Sequence, residues 1–222
     1  MSFQTAEDLN ILHISRIIQC DNICDEFPKL FEGIGKIKDQ QVRLHVDESV
    51  LPKQQPHRSI PFHIGKDVEK ELERLESVDI IEKVEGPTPW VSPIVAVPKK
   101  SGGIRICVDM REVNHAIKRE KHIMPTIDVL INDLNGATVF SKLDLKAAYH
   151  QLELDPESRY LTTFSTHAGL RRYKRLSFGI NTASEIFQNK ISEIIQNVPG
   201  TKNLSGDIIV FGKTQYEHDN NL

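Results

Sequence analysis

Two strand-length apolar runs each carry one carboxylate at an end, and this pattern restricts what the chain can fold into. In residues 138–145, TVFSKLDL, Asp144 sits near the close of the run; in residues 207–211, DIIVF, Asp207 opens it. A carboxylate taken into an apolar strand costs several kcal/mol unless it is paired or binds a metal. Taken singly, each aspartate reads more readily as a strand-end cap or a salt-bridge partner. Taken together, on adjacent strands, the two would converge on one point. That is how an oxygen-ligand site for Mg²⁺ is built, with the remaining positions left to water and substrate phosphates.

The surrounding pattern predicts short antiparallel strands beside separate helices, an α+β architecture. Val68, Leu72 and Leu75 recur at i, i+4 and i+7 within KDVEKELERLE, one apolar stripe on an amphipathic helix. Residues 91–109 predict a β-hairpin whose turn uses Ser101, Gly102 and Gly103. Short helices are expected at 111–117 and near 126–134. Strands are expected at 151–155, 160–166 and 171–176, with a helical turn in KAAYHQ. Thr182 and Glu185 form a capping-box pattern ahead of a helix over 182–197. A last helix starts at Thr214. Residues 51–62, with three prolines, read as an extended arm.

The charge balance is nearly even, 28 Lys and Arg against 31 Asp and Glu, so only local charge can point to an anionic partner. Residues 95–122 hold seven bases and three acids, and GLRRYKR (169–175) holds four bases and no acid. Taken alone, either charge run reads more readily as a solvated surface. The hairpin tip Lys99-Lys100-Ser101-Gly102-Gly103, with Arg105 one strand step away, has the amines, guanidinium and backbone N–H groups of a triphosphate clamp. Cys20 and Cys24 with His13 lack the second ligand pair of a zinc site. Three cysteines do not make a disulfide framework, and no apolar run approaches the ~20 residues of a membrane span. The start, MSFQTAEDLN, lacks the basic and apolar stretches of a signal peptide. These features suit an intracellular protein, cytoplasmic or nuclear, without a membrane partner.

Four segments occur in the order found in one family: PTPWVSPIVAVPKKSGGIRICVDMREVN (87–114), MPTIDVLINDLNGATVFSKLDLKAAYHQLELDPESRYLTTFST (124–166), GLRRYKRLSFGINTASEIFQNKI (169–191) and NLSGDIIVFGKTQYEHDNNL (203–222). From about Leu51 onward the chain resembles the reverse transcriptase, an RNA-directed DNA polymerase, of gypsy-type LTR retrotransposons. The resemblance implies the right-hand polymerase fold. Residues 51–125 would be fingers-like and 126–222 a partial palm, an antiparallel sheet backed by helices. Residues 1–50 form a poorly readable lead-in, and no thumb follows.

It also implies roles. Asp144 and Asp207 match metal ligands for Mg²⁺ or Mn²⁺. Lys99 or Lys100, Arg105, Tyr149 and Gln188 match nucleotide-binding positions, Tyr149 as the residue that excludes a ribose 2′-OH. Trp90, Arg111, Phe178 and Gly179 match positions along the template and primer, with Asp109 beside Arg111. The implied partners are an RNA or DNA template with its primer and a dNTP. In the family, phosphoryl transfer relies on positioning and on two divalent ions that neutralise developing charge.

The chain departs from the pattern at its most specific motif. Leu204, Ser205, Gly206 and Asp207 stand where the family has two variable residues and paired aspartates, so Gly206 replaces the first aspartate. Ser177 and Ser184 stand where proline is usual. The expectation is a truncated fingers-plus-palm piece with impaired nucleotidyl transfer. The alternative is a catalytically dead remnant with at most nucleic-acid or partner binding.

Overall fold

The structure is a computed structural model and describes residues 16–17, 27–28, 32–99, 102–119, 127–204 and 206–222. His13, Cys20, Cys24, Lys100, Ser101 and Ser205 lie outside the described residues. The chain divides into two compact units that interleave in sequence: one holds the described residues of Lys36–Glu120 and Tyr149–Ala183, the other those of Met1–Gly35, Lys121–Ala148 and Ser184–Leu222.

In the second of these units the sheet runs in the order β1 (Arg16–Ile17), β6 (Val139–Asp144), β11 (Asp207–Gly212), β10 (Thr201–Leu204). β1 is parallel to β6, and the other two pairings are antiparallel. Register fixes the faces, because directly opposed residues point the same way. Phe140 opposes Phe211, Lys142 opposes Ile209 and Asp144 opposes Asp207 on one face. Ser141 with Val210, and Leu143 with Ile208, lie on the other.

Helices cover the two faces unequally. α3 (Ile127–Asp133) and the turn after it bring Ile131, Leu134 and Ala137 against Phe140, Ile209 and Phe211. This covers only the half of the first face remote from the aspartates. The second face takes α4 (Ala183–Ile195), through Gln188 and Ser192 bonded to Asn203. It also takes α5 (Gln215–Asn221), whose buried His218 reaches the Ser141 hydroxyl at 2.9 Å. The last helix begins at Thr214 as expected, and Thr214 caps α5 by accepting from the Glu217 amide.

The other unit is built on a five-stranded sheet, in the order β3 (Ile81–Lys83), β9 (Gly169–Tyr173), β8 (Phe164–Thr166), β4 (Ser92–Pro98), β5 (Ile104–Val108). The hairpin forms with Val97 opposite Arg105, its turn closed by Lys99 N–H on the Gly103 carbonyl at 2.9 Å. Along β5, Ile104, Ile106 and Val108 are buried while Arg105 and Cys107 face out. α1 (Phe62–Ser77) buries the expected stripe Val68, Leu72 and Leu75. It begins earlier than the charged repeat, with Pro61 at its N-cap. α2 (Arg111–Ala116) follows β5. β2 (Gln41–Val42) and β7 (Glu153–Leu154) pair in parallel, so the strand expected at 151–155 contracts to two residues.

Three further expectations change. The strand predicted over 160–166 keeps only Phe164–Thr166, because residues 156–162 wind into a 3₁₀ turn. Asp155 caps that turn by accepting from the Glu157 amide at 2.9 Å, and Pro156 supplies a fixed φ at its first position. The strand expected at 171–176 is shifted to Gly169–Tyr173. The capping box at Thr182 does not form. Its hydroxyl is buried without a hydrogen-bond partner, and the helix opens instead from the turn bond between Ala183 N–H and the Ile180 carbonyl.

The arm at 51–58 is extended but not loose. Val91 N–H bonds the Lys53 carbonyl and Gln55 N–H bonds the Val91 carbonyl. Lys53 also pairs with Glu112 at 3.0 Å. Among the described residues no helix is long and apolar enough to cross a membrane.

Candidate active site

The two aspartates singled out by the sequence meet. Asp144 ends β6, Asp207 begins β11, and they are opposed in register on one face. Opposed residues of an antiparallel pair have Cα atoms about 4.5–5.5 Å apart. The junction is closed by Leu145 N–H on the Gly206 carbonyl at 2.9 Å. Neither carboxylate is buried: Asp144 is exposed and the Asp207 side chain is 37% exposed. The desolvation argument for a metal therefore falls away. What remains is convergence of two negative charges, which repel unless a cation lies between them.

A cation does stand beside Asp207: Lys142, which the sequence reading passed over. Its Nζ lies 2.9 Å from Asp207 Oδ2. The bond to Asp207, the charge of Asp207 and the charge of Asp144 raise its pKa above the ordinary lysine value. The signal was present in Lys142-Leu143-Asp144: on a strand, residues i and i+2 share a face.

Gly206 precedes Asp207 with φ of +134°, a conformation that L side chains rarely adopt. A Cβ built there would meet the Ala148 Cβ at 3.2 Å. Among the described residues no three His, Cys, Asp or Glu side chains come together as a metal-binding group. Asp144 and Asp207 could each lend oxygens to one divalent ion once Lys142 withdraws. With only these two carboxylates brought together among the described residues, the site does not fit a two-ion centre that needs a third.

Gln188 belongs to the same unit and is 3% exposed. Its Nε2 donates to the Asn203 carbonyl at 2.9 Å, and Asn203 Nδ2 returns a bond to the Gln188 carbonyl at 3.1 Å. The side chain therefore ties α4 to β10.

The remaining site residues lie in the unit of the five-stranded sheet. Tyr149 packs on Phe178 with ring centroids 4.5 Å apart, and Phe178 is 58% exposed. His150 holds this aromatic group from beneath, stacked on Tyr173 and edge-on to Phe178, with Nδ1 3.1 Å from the Leu176 carbonyl. Burial drives its pKa down to about 4. Gly179, at φ +97°, carries the turn after Phe178 close over Met110 and the Val108 carbonyl, where a Cβ would stand 3.3 Å from each. Asn114 staples that turn through Gly179 O and Asn181 N. Trp90 is buried. Lys99 is held 3.6 Å from Glu71 of α1. Arg105 points out from β5.

The 171–175 segment is not an open basic patch. Arg171 bonds Glu76, Arg172 bonds Glu82 at 2.6 Å, Lys174 bonds Asp79, and Arg175 donates to the Asp79 carbonyl at 3.0 Å. These bases hold β9 against α1 and β3. The acids that neutralise them are remote in sequence, so local charge counting could not see them.

The family description "Reverse transcriptase (RNA-dependent DNA polymerase)" matches residues 97–222, more than half of the chain. The chain belongs to this family. An uncharacterized protein of Caenorhabditis elegans is 33% identical to this reverse-transcriptase-like domain over 88% of the chain and 16% of its own length. The retrovirus-related Pol polyprotein from transposon 412 of Drosophila melanogaster is 30% identical over 92% of the chain and 17% of its own. The chain thus spans about a sixth of the length of these relatives. The prototype foamy virus protease–reverse transcriptase has a TM-score of 0.79 at 17% identity, over 100% of this chain and 30% of that one. A foamy viral protease–reverse transcriptase in complex with an RNA/DNA hybrid gives 0.73 over 99% of this chain and 30% of that one. The fold is the mixed helix-and-sheet fold of the reverse transcriptase polymerase domain.

Proposed function

We propose that the chain is the fingers-and-partial-palm portion of a gypsy-type retrotransposon reverse transcriptase, fingers-like over 51–125 and palm over 126–222. In this reading it holds an RNA or DNA template with its primer and an incoming dNTP, and its nucleotidyl transfer is impaired. The single observation that carries both halves is Asp144 opposite Asp207 beside Gly206. The opposed carboxylates supply part of a divalent-ion site for Mg²⁺ or Mn²⁺. The missing third carboxylate removes a negative charge that water cannot replace. Tyr149 on Phe178 offers an aromatic floor for a sugar, and outward-facing Arg105 offers a guanidinium for phosphate. Lys99 reaches a triphosphate only by leaving Glu71.

The alternative, a remnant that binds nucleic acid without catalysis, is favoured by Lys142, whose ammonium occupies Asp207 where an ion would sit. A family setting and three cysteines suit a cytoplasmic or nuclear location. Primer extension by the purified chain, with Mg²⁺ and Mn²⁺ compared and primer–template binding followed in parallel, separates the readings. Salt-sensitive binding without extension is expected. Extension at the rate of a complete relative would overturn the impairment.

A further inference from the structure

Asp109 is the point where the arm, β5 and α2 meet. Its amide donates to the Pro93 carbonyl at 2.9 Å, and its carboxylate is only 9% exposed. Two guanidinium groups converge on that carboxylate. Arg111 donates to it twice, from Nε at 2.8 Å and Nη2 at 2.7 Å, and Arg58 donates once, from Nη2 at 2.8 Å. Arg58 arrives there because the arm is zipped to Val91 and its Lys53 is pinned to Glu112.

The exposure pattern is the reverse of the ion pairs that Arg171 and Arg175 make in the same unit. Arg171 and Arg175 are 10% and 6% exposed, inside the fold with their acids around them. At Asp109 the acid is inside and the cations are out: Arg111 is 79% exposed and Arg58 is 46% exposed. A guanidinium has five N–H donors. Arg111 uses two of them on Asp109 and Arg58 one, so each keeps an edge for an acceptor. Lys53 offsets Glu112, which leaves the cluster one positive charge in excess. Planar, forked donors around a single net charge match a phosphodiester, an anion of one charge with two free oxygens.

We propose that Arg58 and Arg111, aimed by Asp109, form a two-pronged grip on one backbone phosphate of a nucleic-acid strand. The grip rests on the nucleic-acid reading given above and adds Arg58, a residue of the arm, to the surface that reading uses. Asp109 is a positioning residue: its carboxylate stays ionised because the Arg111 bond holds its pKa down at about 2, so the fork keeps its aim across the physiological range.

The test is fluorescence anisotropy of the full chain with a labelled single-stranded oligonucleotide over a salt series, for the wild type, Arg58→Gln, Arg111→Gln, Arg58→Lys, the double glutamine variant, and Lys66→Gln as a control on the exposed face of α1. Each Gln variant is expected to weaken binding about threefold to tenfold and to reduce the slope of log K on log salt by up to ~0.7, the contribution of one single-strand phosphate. The double variant should lose little more than the worse single one, because both prongs hold one phosphate. Arg58→Lys should keep most of the slope and lose part of the affinity. Lys66→Gln should match the wild type. Circular dichroism checks folding, and Arg58→Gln carries the test should Arg111→Gln unfold, since Arg58 contributes only one bond. Unchanged affinity and slope in folded Arg58→Gln would overturn the grip while leaving the nucleic-acid reading intact. Absence of binding by the wild type would overturn both.

Discussion

Lys142 Nζ lies 2.9 Å from Asp207 Oδ2, two residues along the strand from Asp144 and on the same face. The ammonium pairs with Asp207 and lies within electrostatic reach of Asp144. A divalent ion must displace it. Replacing it with methionine keeps the stem and removes the competing charge. Lys142→Met should therefore tighten Mn²⁺ binding by up to about fivefold, the equivalent of about 1 kcal/mol for an exposed ion pair. Proton relaxation enhancement in a Mn²⁺ titration measures this, and equal affinities for the two proteins would show that Lys142 does not compete.

Gly206 sits at φ +134° with the Ala148 Cβ close to any side chain placed there. An aspartate at this position must rebuild the turn. Gly206→Asp should lower the stability of the metal-free chain by about 1–2 kcal/mol, through a backbone that L residues resist. Added Mn²⁺ should recover part of the loss, since the ion binds only the folded form. Urea unfolding with and without the ion reads both effects; a variant as stable as the parent in EDTA would contradict the strained turn.

His150 gives the fold a pH dependence whose sign follows from its environment. Burial lowers its folded pKa to about 4, below the ordinary value of 6.5. Above pH 6.5 neither state binds the proton. As pH falls below 6.5 the unfolded chain takes it up first, and stability is lost until the folded pKa is reached. Between pH 7 and pH 5 the loss should be about 2 kcal/mol. His150→Gln removes the titration, so its stability should change less over that interval. Equal pH slopes for the two proteins in urea unfolding would refute the assignment.

Ser177 and Thr182 flank the turn that carries Phe178 and Gly179, and both hydroxyls are buried without a hydrogen-bond partner. Removing an unsatisfied buried hydroxyl is neutral to favourable. Ser177→Ala should raise the stability by up to about 1 kcal/mol. A lower thermal midpoint for the variant would mean that the hydroxyl is satisfied in solution.

Local rules made much of this fold legible. The stripe Val68-Leu72-Leu75, the alternation of Ile104, Ile106 and Val108, and the start of the last helix at Thr214 all depend on neighbours a few residues away, and each forms as read. The opposition of Asp144 and Asp207 was legible because each ends an apolar run. Features set by distant partners were not. The bases of 171–175 look open until Glu76, Asp79 and Glu82 are brought to them. The arm looks loose until Val91 and Glu112 hold it. Thr182 has the residue type of a cap, but the turn from Ile180 opens the helix first. The strand period alone places Lys142 on the face of Asp144, but its partner Asp207 comes from a strand more than sixty residues away.

In the proposed reading, Asp144 and Asp207 without a carboxylate at position 206 do not support nucleotidyl transfer. The most direct measurement is primer extension by a complete related reverse transcriptase in which residues 51–222 of this chain replace the corresponding part, as written and with Gly206→Asp. Loss of charge at a two-ion centre is expected to slow extension at least about a thousandfold, so the unaltered chimaera should be nearly silent beside the aspartate version. Similar extension rates for the two chimaeras would contradict the account.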